Sequence, residues 1–169
     1  VPAIRECLDF AKSVPPEQIA FFLCTAQKDR PGRLKGVDEQ MLSEVQDALG
    51  VRFHPKSAVI ANGRVGGVEA IQKAWPAVYR ENLPGCIVAG SDTYLVAGTL
   101  SELERQDRLL TANNSNGFIP GEAGAAILLG PESRKSEMDL LISGIGFGEE
   151  KATIDRKSTR LNSSHTHLS

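Results

Sequence analysis

Few side chains in this sequence could carry covalent or acid–base chemistry, and their spacing narrows what that chemistry can be. The three cysteines, Cys7, Cys24 and Cys86, are odd in number, far apart and set in apolar context, with no C-x-x-C pair among them. They read as buried thiols, and neither a disulfide framework nor a zinc site is expected. Of the three histidines, His165 and His167 form a His-x-His pair of the kind that binds metals. That pair falls in residues 155–169, where only Leu161 and Leu168 are apolar among Ser, Thr, Asn and basic residues, the composition of a disordered tail. Residues 155–165 also read as the translation of a common sequencing-library adapter, so 155–169 is expected to be an adapter-derived tail outside the fold. Only His54 then remains.

Two segments hold more. Asn62-Gly63-Arg64-Val65-Gly66-Gly67 joins an expected strand to an expected helix. The backbone amides at such a helix start can hold a phosphate or an oxyanion, or lower the pKa of a nucleophile. The glycines match neither G-x-G-x-x-G nor a P-loop. The alternative is that they only let the helix pack closely on the strand, with Arg64 facing solvent. The second segment is Asn116-Gly117-Phe118-Ile119-Pro120-Gly121-Glu122, running into Ala123-Gly124-Ala125-Ala126. Its small residues suit close approach of another backbone, and Glu122 needs hydrogen-bonding partners if it is buried. Without a second titratable group beside it, Glu122 reads as an anchor for the loop rather than a general acid or base. Asp92, expected just after a strand, reads as a cap.

Helix and strand patterns alternate along the chain, which argues for a layered α/β fold. Ile4, Cys7, Leu8 and Ala11 share a helical face, and residues 19–25 (IAFFLCT) form a short continuous apolar run bounded by breakers, the pattern of a buried strand. Asp38 is placed to cap a helix carrying Met41, Leu42, Val45, Ala48 and Leu49, which Gly50 would end. A strand at 58–61 leads into a helix with Val68, Ile71, Ala74, Trp75 and Val78 inward, which Pro76 should kink or end early. A third strand at 86–89 closes on Gly90-Ser91-Asp92, a helix spans 95–106, an Asn-rich loop covers 111–117, and strands follow at 123–129 and 140–145. No internal repeat or linker divides the chain.

Of the 169 residues, 41% are hydrophobic and 24% charged, with a formal net charge of −2. These are the proportions of about one globular domain. No basic run is interleaved with aromatics, so a nucleic-acid partner is not expected, and no apolar stretch reaches the length of a membrane span. The start has neither Met nor the pattern of a signal peptide. A cytoplasmic location and an origin inside a longer protein are the expectations.

Taken together, RLLTANNSNGFIPGEAGAAILL at 108–129, IVAGSDTYL at 87–95 and LLISGIGFGEE at 140–150 resemble, in order and spacing, segments of the β-ketoacyl-acyl carrier protein synthases of the thiolase-like superfamily. The resemblance covers residues 19–150. It implies a thiolase-like layered α/β fold, with residues 1–154 forming part of the N-terminal half and incomplete at their C-terminal end. It implies acyl transfer and decarboxylative condensation of acyl thioesters in fatty-acid or polyketide-type biosynthesis. Acyl carrier protein and acyl thioesters are the implied partners, with a homodimer or a heterodimer with a synthase, and no cofactor or metal.

In that family a cysteine at the start of a buried helix takes the acyl chain as a thioester. The matching position here is at or within a residue or two of Arg64, and an arginine stays protonated and is not a nucleophile. By the same resemblance Asn62, Gly63, Asn116, Gly117, Phe118, Gly121 and Glu122 line a substrate pocket or form a structural loop. Three readings stay open: a condensing enzyme whose codon 64 is misread, a nucleophile-less relative acting as partner subunit or as acyl or carrier-protein binding module, and a domain whose glycines serve packing only. A chain of this kind should expose apolar surface at a strand edge and where a second half would pack, and is expected to be poorly soluble. Size-exclusion chromatography checks this, and a soluble monomer with a sharp unfolding transition would contradict it.

Overall fold

The computed structural model describes residues 1–132 and 140–148. The expectations for residues 155–169, His165 and His167 among them, lie outside these. The first helix, α1 (Pro2–Phe10), begins on a proline, whose fixed φ suits the first helical turn, and buries Ile4. Strand β1 (Ile19–Cys24) follows, buried at all six residues. Helix α2 (Val37–Leu49) ends at Gly50, where the Gly50 and Val51 amides donate to the carbonyls of Asp47 and Gln46. Strand β2 (Ala58–Ile60) leads through a short 3₁₀ turn (Gly63–Val65) into α3 (Gly66–Tyr79). Strand β3 (Gly85–Thr93), α4 (Ala97–Arg105) and β4 (Glu122–Leu129) complete the set.

The four strands form one sheet in the order β2-β1-β3-β4, with β1, β2 and β3 parallel and β4 antiparallel to β3. Side chains alternate across β1, so each face builds its own core. Ile19, Phe21 and Leu23 pack with Ile4, Phe53 and Ile87 under α1 and α2, and the rings of Phe21 and Phe53 lie 4.7 Å apart. Ala20, Phe22 and Cys24 pack with Ile60, Cys86 and Val88 under α3. Helices on both faces of a mostly parallel sheet are the doubly wound α/β arrangement.

Several expectations change. Asp38 is not the cap of α2: Gly36 holds that position, and Asp38 sits in the first turn, its carboxylate paired with Arg33 at 2.5 Å. Pro76 does not end α3, which runs on to Tyr79. The carbonyl left without its helical donor belongs to Gln72, an exposed residue that water reaches. The inward face of α3 is Gly66, Ala70, Ala74, Ala77 and Val78, while Trp75 and Val68 are about half exposed at 52% and 40%. Gly90-Ser91-Asp92 does not close β3 but lies within it, because β4 pairs alongside through Ala125, Gly124 and Ala123. Residues 140–145 form no strand, and Leu140 and Leu141 are exposed, with no ladder partner among the described residues. Cys24 and Cys86 are buried as expected, whereas Cys7 is only half-buried.

Phe21 is fully buried and Phe10 is 83% exposed. Phe21→Ala is expected to cost about 3–5 kcal/mol through lost burial and a residual cavity, and Phe10→Ala to stay within about 0.5 kcal/mol. Urea denaturation followed by fluorescence of the single tryptophan, Trp75, checks both.

Candidate functional site

The start of α3 is the first place to look for chemistry, and the chain reaches it through a turn pinned to the end of β1. The Gly63 amide donates to the Thr25 carbonyl at 3.1 Å, and the Thr25 amide to the Ile60 carbonyl at 3.0 Å. Arg64 projects from this turn and is exposed, as the packing alternative had it. The Asn62 side-chain amide donates to the carboxylate of Glu69 in the first turn of α3. No cysteine stands on the turn. The nearest thiol by packing is Cys24, since a Cβ added to Gly66 would lie 3.6 Å from the Cys24 Cβ.

Neither buried thiol is activated. Burial raises the Cys24 pKa above the ordinary thiol value, and the negative Glu69 raises it further. Burial pushes Cys86 up to about 11, with Glu81 adding to the rise and a backbone hydrogen bond to Ala20 opposing it. A reactive cysteine needs a lowered pKa and access to substrate, and these two have neither.

A second place was not apparent in the sequence. The C-terminal ends of β1 and β3 border a cleft of about 460 Å³, into which the loop at 25–36, the start of α2 and the first residues of β4 also face. Two arginines hold that loop. Arg30 donates to Asp92 at 2.5 Å and to the Thr93 carbonyl at 3.1 Å, and its guanidinium lies 5.1 Å from the Tyr94 ring centre. Arg33 donates to the Ala26 carbonyl, the Thr25 hydroxyl and Asp38. Gly32, at φ +73°, lies so close to α4 that a Cβ there would meet the Thr99 amide at 2.3 Å, and the Thr99 hydroxyl donates to the Pro31 carbonyl. Asp92 is therefore a strand residue tied to Arg30 and not a cap.

The expected site residues divide between two places. Glu122 joins the cleft, where it is exposed, and no hydrogen bond to its carboxylate occurs among the described residues, so it does not anchor the loop. Asn116, Gly117 and Phe118 form a tight clasp instead. The Phe118 amide donates to the Arg108 carbonyl and the Leu110 amide to the Phe118 carbonyl, while the Asn116 amide donates to the Asn114 side chain. A Cβ on Gly117 would collide with the Leu109 backbone at 2.1 Å, so only glycine fits there. The Phe118 ring meets Tyr94 edge-on at 5.8 Å, and the Tyr94 amide donates to the Gly121 carbonyl, which links the clasp to the cleft through Arg30. Asn62 lines a separate recess of about 440 Å³ with Lys28, Asp38, Glu69 and Lys73, and Arg64 lines neither space. Arg30 was missed because no local pattern announces a partner 62 residues away, and Arg33, whose partners lie within eight residues, because a polar loop gives no sign of the fold that brings them together. Among the described residues no group of three His, Cys, Asp or Glu side chains is placed to hold a metal ion. No described helix is long and apolar enough to cross a membrane.

An unfolded thiol titrates near 9, and the folded Cys86 near 11. Its neutral form therefore adds stability that is fully present below pH 9 and is lost as pH rises toward 11. Cys86→Ala is expected to flatten the fall of stability with pH across that window, as measured by urea denaturation at stepped pH.

No protein-family model and no curated protein matches the chain. Among solved structures it is similar to AbyA1, a tetronic acid condensing enzyme, with a TM-score of 0.50 and 22% identity over 79% of this chain and 37% of that one. The chain thus spans little more than a third of that neighbour's length. At this identity the likeness concerns the fold, and it agrees with the strand and helix order above: the chain has a thiolase-like α/β fold.

Proposed function

We propose that this chain is part of a β-ketoacyl-acyl carrier protein synthase-like protein of fatty-acid or polyketide-type metabolism that does not itself form the acyl thioester. In this reading it serves as the partner subunit of an active synthase, or as a module that binds acyl chains or acyl carrier protein. The observation that carries the reading is the start of α3. The helix end that would activate a nucleophile is present, but its turn holds exposed Arg64 and no thiol, and Cys24 beneath it is buried with a raised pKa. The thiolase-like fold supports the family part of the proposal, and the residues supply the loss of chemistry.

The test is to incubate the chain with a hexanoyl thioester of coenzyme A and with hexanoyl-acyl carrier protein. Intact-mass measurement should find no acyl adduct on any of the three cysteines. Equilibrium binding should detect a complex with the acylated carrier protein. A covalent adduct on the unaltered chain would overturn the loss of chemistry, and absence of both adduct and complex would favour a domain whose glycines serve packing alone.

A further inference from the structure

Helix α3 buries one face against the sheet and leaves the opposite face bare. Gly66, Ala70, Ala74, Ala77 and Val78 are turned inward. Val65, Val68, Gln72, Trp75 and Tyr79 follow one another at alternating steps of three and four residues, which sets them in one stripe on the far side of the helix. All five are exposed, Val65 at 55% and Tyr79 at 48% among them. A surface helix turns its polar side to water, so a largely apolar stripe about 20 Å long on the solvent side marks a surface that another body covers.

The order of residues along the stripe selects the occupant. Val65 and Val68 fill its first half, Trp75 and Tyr79 its second, and Gln72 stands at the centre. Turned end for end about Gln72, the stripe fits itself: Val65 meets Tyr79 and Val68 meets Trp75, small against large. An interface between two copies related by a two-fold axis requires this self-complementarity. The polar groups obey the same symmetry. Pro76 leaves the Gln72 carbonyl without its helical donor at the middle of the stripe, where the Gln72 side-chain amide of a second copy can donate to it. Glu69 and Lys73 border the stripe on one side, and the rotation brings Glu69 of each copy beside Lys73 of the other. Lys73 makes no ion pair among the described residues. The Trp75 ring already packs against Tyr79 at 5.6 Å and lies under the Arg80 guanidinium at 5.3 Å, so covering it costs little side-chain freedom.

We propose that this face of α3 is the contact between two copies of this chain, paired antiparallel about a two-fold axis at Gln72. A single helix pair of this length buries less than the roughly 1,200–2,000 Å² of a tight interface, so the dimer is weak and dissociates in the micromolar range. The pairing rests on the exposed face of α3 and not on the function proposed above, so either can fail without the other.

Sedimentation velocity and Trp75 emission of the full 169-residue chain between about 1 and 100 µM test it. The chain should pass from monomer to dimer and no further, and the emission of its single tryptophan should move to the blue over the same range. Trp75→Ala removes an exposed side chain and should leave circular dichroism unchanged while weakening the dimer about tenfold. Lys73→Glu and Glu69→Lys should each weaken it about fivefold, because each sets like charges together twice. Mixed in equal amounts, these two variants should pair with each other more tightly than either pairs with itself, as an antiparallel contact between copies requires. A monomer at every concentration, association that continues past the dimer, or no preference for the mixed pair would each overturn the proposal.

Discussion

Burial of β1 on both faces is the constraint on which the rest of the structure depends. Six consecutive residues are withdrawn from water, and because their side chains alternate, one strand serves two cores. The two faces are unlike in size. Phe21 packs at a tilt against Phe53 on the side of α1 and α2, whereas α3 presents Gly66, Ala70, Ala74 and Ala77 to the other side. Small residues let α3 lie close to the sheet, and that closeness sets Gly66 against Cys24 and fixes where the helix begins. The depth of one helix in the core thus places the turn that bears Arg64.

Elements whose signal is local were legible in the sequence. The apolar run of β1, the helix stop at Gly50 and the strand-turn-helix at 58–79 each follow from neighbours in the chain. The inward face of α3 was not, because hydrophobicity points to Trp75 while close packing selects alanine, and the larger side chain is turned outward. The length of β3 was hidden for a related reason. Gly90-Ser91-Asp92 has turn composition, and only the ladder with β4, invisible to local pattern, keeps it extended. At 140–145 the reverse holds: strand composition with no ladder partner among the described residues leaves the backbone irregular.

Chemistry at a helix start needs more than the helix. The field at the start of α3 would favour a thiolate placed in the turn, but Arg64 occupies the turn. A thiol does lie near that helix end, yet Cys24 belongs to β1 and is shut in the apolar layer, where loss of water, and then the negative Glu69, raise its pKa. The difference between an activated and an inert cysteine is here a matter of which layer holds it.

The direction of β4 has a consequence for the cleft. Had β4 run parallel to β3, its last residue, apolar Leu129, would lie beside the ends of β1 and β3. Running antiparallel, it brings its first residue there, and Glu122 falls opposite Thr93 at the mouth of the crevice. The loop at 25–36 is held across the same mouth by Arg30, which donates to the carbonyl of Thr93 at the end of β3, and is braced internally by Arg33, which donates to the Ala26 carbonyl two residues past β1. Both carbonyls lie at or just past the ends of parallel strands, and the arginines supply donors to them there. Pairing of each guanidinium with a carboxylate keeps the braces neutral, and the charge of the site is then set by the one carboxylate that strand reversal delivers.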